Sequence, residues 1–297
     1  ICLRIQFTTD EALLISALYI FTPMWFSRLS IGPRINCFTP RLFSEVIVNI
    51  FYIVNMINLN LSLPFTLTLG TIFSSVVILS SKFGLQAILF MSLPISILSN
   101  NYNPLLSLFF GFLLSIIISK GSFIKSTKNQ LNHLIWYFKD NLKGNMPISN
   151  RNRISVLFSE VNKNKNFLKN IKSVILKAIS TNSFTSVIIK MPVLISGLIV
   201  WLITYSSDST IIPEFVFAPV FSSLIIFILI SMPYLLFLGE AERYLNHVAF
   251  FILLFTGMLL IEFKLLFLFY VLLLYGIFYW IIEVFFLNKF KKFEYRK

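Results

Sequence analysis

Long uncharged apolar windows alternate with one basic block, and that alternation restricts the chain to a membrane fold. Several windows of 16 to 25 residues carry no charge at all, the length that spans a bilayer's hydrocarbon core. Between Lys120 and Lys190 the pattern reverses: 13 of the 25 Lys and Arg residues fall there, with only Asp140 and Glu160 as acids. Charged residues make up 12% of the chain and hydrophobic residues 57%. Soluble domains carry about 25% charged residues, so a water-soluble fold would lack the charges to cover its surface.

The apolar pattern predicts nine spans, near 11–27, 42–59, 62–80, 84–99, 104–119, 187–205, 212–238, 247–262 and 265–287. Pro23, Pro64, Pro94, Pro219 and Pro233 lie within them, which membrane helices tolerate when neighbours satisfy the freed carbonyls. The fold class is an all-α polytopic bundle in three segments: a five-span bundle at 1–119, a basic loop at 120–186, and a four-span bundle with a basic tail at 187–297. No internal repeat is visible. The chain opens Ile1-Cys2-Leu3, which reads as a fragment or a chain whose upstream segment is removed, and no signal peptide is evident. Cys2 and Cys37 form no metal-ligand spacing and are read as structural thiols.

Orientation follows from the excess of Lys and Arg on cytoplasmic loops. With 120–186 inside, the loop bearing Arg28, Arg34 and Arg41, the turn at Lys82 and the tail Lys289-Phe290-Lys291-Lys292 are inside too. This leaves Arg4 and Lys264 as the only exceptions among 25 basic residues. Asp10, Glu11, Asp208, Glu214 and Glu262 then fall outside. The expected location is a bacterial inner membrane. Within the basic loop, Leu131, Leu134, Ile135 and Phe138 repeat at helical spacing, as do Val161, Leu168, Ile171 and Ile175. Basic amphipathic helices of this kind lie in the headgroup layer and gain from anionic lipid. Membrane lipids are therefore the expected partners, and nucleic acid is not.

Four groups of residues are candidates for chemistry. The first is the stretch Ser30–Arg41, in which Gly32-Pro33 and Thr39-Pro40 break helical structure. Arg34 and Arg41 there suit bidentate contact with a lipid-linked phosphate; an ordinary positive-inside loop is the alternative. The second is Glu45, Asn49 and Tyr52 on one helical face. These residues either wall a cavity or leave Glu45 paired with Arg41 at i,i+4. The third is Gly239–His247, where Glu240 and Arg243, and Tyr244 and His247, sit three positions apart. Arg243 suits a phosphate or sugar there, and Glu240 or Glu242 a general base; a polar cap between two spans is the plainer reading. The fourth is the outward acids Asp10, Glu11 and Asp208, as base or metal ligand or as solvated loop acids. A Walker A loop, HExxH, GxSxG, a zinc Cys/His set and a dinucleotide fingerprint are all missing, so the sequence assigns no cofactor and no metal site.

The step Glu242-Arg243-Tyr244-Leu245, leading into a late apolar span, resembles a feature of GT-C type glycosyltransferases. The string Gly239-Glu240-Ala241-Glu242-Arg243-Tyr244 is also similar to late segments of uncharacterised membrane proteins encoded with surface-polysaccharide genes. The likeness covers about 30 of 297 residues. It implies a multi-spanning enzyme using a polyprenyl-phosphate sugar, with Asp10 or Glu11 as base and Arg243 with Tyr244 holding phosphate or sugar. In such enzymes the site faces outward, whereas the span count puts Arg243 inside. The expected function is thus a glycosyltransferase of envelope-glycan synthesis; a transporter or flippase for a lipid-linked glycan, or a polysaccharide polymerase, are the alternatives.

Overall fold

The computed structural model describes residues 7–23, 40–57, 62–142, 152, 182–204 and 212–294. Among these the chain is helical, with no strand. The helices are α1 Thr9–Phe21, α2 Pro40–Met56, α3 Leu63–Ser80, α4 Lys82–Leu98, α5 Asn103–Ile118, α6 Ser122–Leu142, α7 Ser183–Lys190, α8 Pro192–Thr204, α9 Glu214–Ser231, α10 Glu242–Asn246, α11 Ala249–Glu262 and α12 Leu266–Glu294.

Each predicted span holds a helix, but not every helix reaches across a bilayer. Three helices are long and apolar enough to cross unaided: α3, α9 and Leu266–Phe285 of α12. Two bent pairs, α5 with α6 and α7 with α8, raise the number to five if each is one crossing. At 1.5 Å per residue, the 13 residues of α1 or of α8 extend only about 20 Å against a hydrocarbon core of about 30 Å. The span predicted at 212–238 ends early, at Ser231. Pro233 lacks the N–H to continue the helix, and the chain turns through a short 3₁₀ segment, Leu236–Leu238.

The helix ends are written locally. Thr8 and Glu11 form a capping box on α1: the Thr8 N–H donates to Glu11 Oε2 (2.8 Å) and the Glu11 N–H to Thr8 Oγ1 (3.3 Å). After α5, Lys120 and Gly121 adopt positive φ (49° and 80°), and the Gly121 N–H returns to the Ile116 carbonyl at 3.0 Å. This left-handed stop turns the chain by 114° into α6. The predicted basic loop therefore begins as a 21-residue helix carrying Leu131, Leu134, Ile135 and Phe138. Its second amphipathic stretch, at 161–175, lies outside the described residues, as do Asp208 and both cysteines.

Two compact units form. The first comprises residues 1–37, 187–212 and 249–297. In it Thr256 Oγ1 of α11 donates to the Val193 carbonyl of α8 (2.9 Å), Gly257 lies against Ile15 of α1, and Tyr275 Oη donates to the Ile189 carbonyl (2.8 Å). Its interior also buries two charged residues, Lys190, the last of the basic block, and Glu283.

The second unit comprises 38–186 and 213–248. Its α3 and α5 meet along small residues, Gly70 and Ser74 facing Ser107 and Gly111. A Cβ on Gly111 would collide with Ser74 Oγ and reach 3.2 Å from the Ser75 nitrogen. Small residues at four-residue spacing let membrane helices approach closely and hydrogen-bond across the contact. Ser74 Oγ donates to the Ser107 carbonyl (2.8 Å), and Ser107 Oγ to Asn55 Oδ1 (2.6 Å). The opposite faces turn large apolar side chains outward, including Ile117 at 72% exposed. Large apolar side chains turned outward in this way are consistent with an integral membrane protein.

Candidate functional site

The polar connections of the second unit converge. Lys82, Phe83 and Gln86 from the start of α4, His133, Leu134 and Tyr137 from α6, and Phe237 to Glu240 with Arg243 line one open pocket of about 340 Å³. These residues come from three separate stretches of sequence. Aromatic packing holds the pocket's walls together: Phe138 of α6 meets Phe237 edge-on at 4.9 Å between ring centroids. His133 stacks on Tyr137 at 6.0 Å and 16°.

The turn Gly239-Glu240 delivers the charges. Gly239 has φ +117° and ψ −157°, a region open only to glycine, and this conformation aims the chain from the 3₁₀ segment into α10. The Arg243 guanidinium is then fixed on two sides. Its Nε and Nη2 donate to Glu240 Oε2, and its Cζ lies 4.6 Å above the Phe83 ring, where the ring's negative face attracts a cation. Lys82, by contrast, makes no ion pair or hydrogen bond among the described residues. Partial burial lowers the pKa of its ammonium below the usual lysine value. Gln86, one helical turn further along α4, is 7% exposed, and its Oε1 has no hydrogen-bond partner among the described residues.

The predicted cluster at 239–247 divides. Glu240 and Arg243 face the pocket. Tyr244 and His247 lie behind it, lining a small void with Phe83, Leu238, Glu240 and Arg243. Both are buried: Tyr244 packs near Phe90, and His247 Nδ1 is 2.7 Å from the Arg243 carbonyl. Burial raises the Tyr244 phenol above its usual pKa, opposed by the Arg243 charge, so it stays a neutral hydroxyl. Glu242 is buried and lines neither space.

The other candidates lie elsewhere. Glu45 is buried on α2. Asn49 Nδ2 donates to the Glu45 and Asn246 carbonyls (2.9 and 3.2 Å), Tyr52 Oη meets Ser92 Oγ at 3.3 Å, and Asn55 Nδ2 donates to the Phe51 carbonyl (2.7 Å). That face is a hydrogen-bonded seam between helices. Asp10 and Glu11 open α1 in the first unit, with Glu11 engaged by the Thr8 cap. Arg34 and the side chain of Arg41 lie outside the described residues. Among the described residues, no three His, Cys, Asp or Glu side chains are grouped to hold a metal.

Glu240 and Arg243 are among the residues the sequence singles out, Gln86, His133 and Tyr137 are not, and Lys82 bears there only on topology. A polar Gln within a charge-free window was the available signal. No family model, no curated protein and no solved structure matches the chain.

Proposed function

We propose that the chain is an integral membrane enzyme of envelope-glycan synthesis, a glycosyltransferase acting on a lipid-linked sugar at the Lys82–Arg243 pocket, which in this reading opens to the cytoplasmic side, unlike the outward site that the GT-C likeness implies. One observation carries this reading: two cations, a carboxylate, an imidazole and aromatic rings share a single pocket on a bundle with lipid-facing walls. Arginine and lysine suit a phosphate. Aromatic faces suit the apolar face of a sugar ring. Glu240, His133, Tyr137 and Lys82 line the pocket and belong to the residue types that move protons.

The same reading keeps the basic block and the tail on the cytoplasmic side, with α6 lying in anionic headgroups. Two features of the second unit support that sidedness. The pocket joins the turn at Lys82 and the start of the basic block, both assigned to the inside by charge, to the stretch 237–243, assigned there by the span count. Asn101 Nδ2 donates to the Asn55 carbonyl (2.9 Å), joining two ends assigned to the outside. A flippase would need the Glu45–Asn49–Tyr52 face as a path, and there the side chains of Asn49, Tyr52 and Asn55 hydrogen-bond to neighbouring helix atoms.

Two carboxylate positions compete for the role of base: Glu240, and the Asp10–Glu11 pair that the GT-C likeness implies. Glu240 is the better choice because it shares a pocket with the cations. The test is transfer of the hexose from a polyprenyl-phosphate donor to the hydroxyl of a second sugar by protein in liposomes: the acceptor oxygen bonds to the anomeric carbon, its proton passes to the base, and polyprenyl phosphate leaves. Glu240→Gln is expected to lower the rate by about 10²- to 10⁴-fold, the range for lost general acid–base catalysis, and Arg243→Ala to lower it as well. Transfer kept by Glu240→Gln but lost in Asp10→Ala or Glu11→Ala would move the base to α1. Full activity in all four variants would overturn the proposal.

A further inference from the structure

We infer that Lys82 and Gln86 form a divided subsite for a hydroxyl-bearing phosphate ester, with Lys82 holding the phosphate and Gln86 reading a hydroxyl on the attached group. The two residues stand one helical turn apart on α4 and open into the same pocket. Lys82 is the first residue of a 17-residue helix, so the positive end of the helix dipole adds to its ammonium. No carboxylate neutralises it among the described residues, whereas Arg243 is already matched by Glu240. The pocket's surplus positive charge therefore sits at Lys82.

Gln86 supplies the second, independent sign. A buried acceptor with no hydrogen-bond partner is costly to the folded protein, and a fold gains nothing from an amide there when an apolar residue would pack as well. A hydroxyl donated by a ligand would satisfy Oε1. Tyr137 and Phe237 border the same space and offer rings against which a sugar or glycerol carbon skeleton can lie. The shared chemistry is a phosphate monoester or diester of a polyol. Its source is either a membrane lipid or a soluble glycosyl phosphate.

This deepens the glycosyltransferase reading and rests on it for assigning the ester to a lipid-linked sugar. Binding is measured without turnover, so failure of the subsite and failure of transfer are separately visible. The protein in nanodiscs is titrated with a polyprenyl-phosphate-linked hexose, with the bare polyprenyl phosphate, with glucose 1-phosphate and with phosphatidylglycerol. Lys82→Met is expected to weaken both polyprenyl ligands by about 10- to 100-fold, the value of a charge-assisted contact. Gln86→Leu is expected to weaken the glycosylated ligand and leave the bare phosphate unchanged.

Gln86→Leu also separates function from packing. Removing an unsatisfied buried oxygen is expected to raise the melting temperature while binding falls; a merely structural glutamine would lose stability instead. Gln86→Glu, of nearly the same shape but anionic, is expected to weaken every phosphate ligand. Competition by glucose 1-phosphate at comparable concentration assigns a soluble source, and binding confined to the polyprenyl ligands assigns the lipid. Equal binding of phosphatidylglycerol and the hexose lipid assigns a glycerophospholipid as the source, and unchanged affinity in both Lys82→Met and Gln86→Leu would overturn the proposal.

Discussion

Lys82 shows how a residue's placement sets its chemistry. Its neighbours in the pocket are His133, Tyr137, Glu240 and Arg243, and partial burial pulls its pKa down. The charged form binds an anion, so affinity for a phosphate ester is expected to fall as pH rises through that lowered value, earlier than for a solvated lysine. The stability of the empty protein moves the other way. Between the lowered folded value and the ordinary unfolded one, the unfolded chain binds more protons, so stability rises with pH in that window. Titrating ligand affinity against pH checks the first effect. Lys82→Arg, which keeps its charge throughout that range, is expected to abolish the fall, and an unchanged profile in that variant would remove Lys82 from the site.

Among the elements, α3 and α5 show what holds the second unit together. Gly70, Ser74, Ser107 and Gly111 let the two helices approach closely, which matters because lipid is as apolar as leucine and burial alone gives helices little reason to associate. Gly111→Leu is expected to force the pair apart and cost about 1–3 kcal/mol, the range for overpacking. Ile117→Ala, on the lipid-facing side of the same helix, is expected to cost far less. Thermal unfolding in detergent compares the two, and equal destabilisation would show that α5 is not held by its glycine face. The sequence placed these helices well, since uncharged windows record apolarity directly. It did not reveal their partners: the Ser and Gly spacing in 70–74 and 107–115 becomes a pattern only when two helices are set side by side. The bend after α5 was legible in part through Lys120-Gly121, but its direction depends on backbone angles that residue identity leaves open.

At the scale of the whole molecule, the apolar and basic alternation dictated an all-helical membrane bundle, and the second unit has that character. Glu240 and Arg243 could be found from sequence because they crowd one short connector. Gln86, His133 and Tyr137 could not, since each is a single polar residue far away in the chain, and only the fold of α4 and α6 brings them to Arg243. The convergence of Lys82, α6 and Gly239–Arg243 is also where topology meets the proposed function, because a pocket that takes phosphate from one side must open to that side. Single cysteines at Asn132 on α6, at Glu240 and at Tyr102 between α4 and α5, in a background with Cys2→Ser and Cys37→Ser, test this with a membrane-impermeant thiol reagent on sealed vesicles of both orientations. The expected result is labelling of Asn132→Cys and Glu240→Cys only from the cytoplasmic side and of Tyr102→Cys only from the opposite side. Labelling of Asn132→Cys and Tyr102→Cys from the same side, or of Glu240→Cys from outside, would contradict the account.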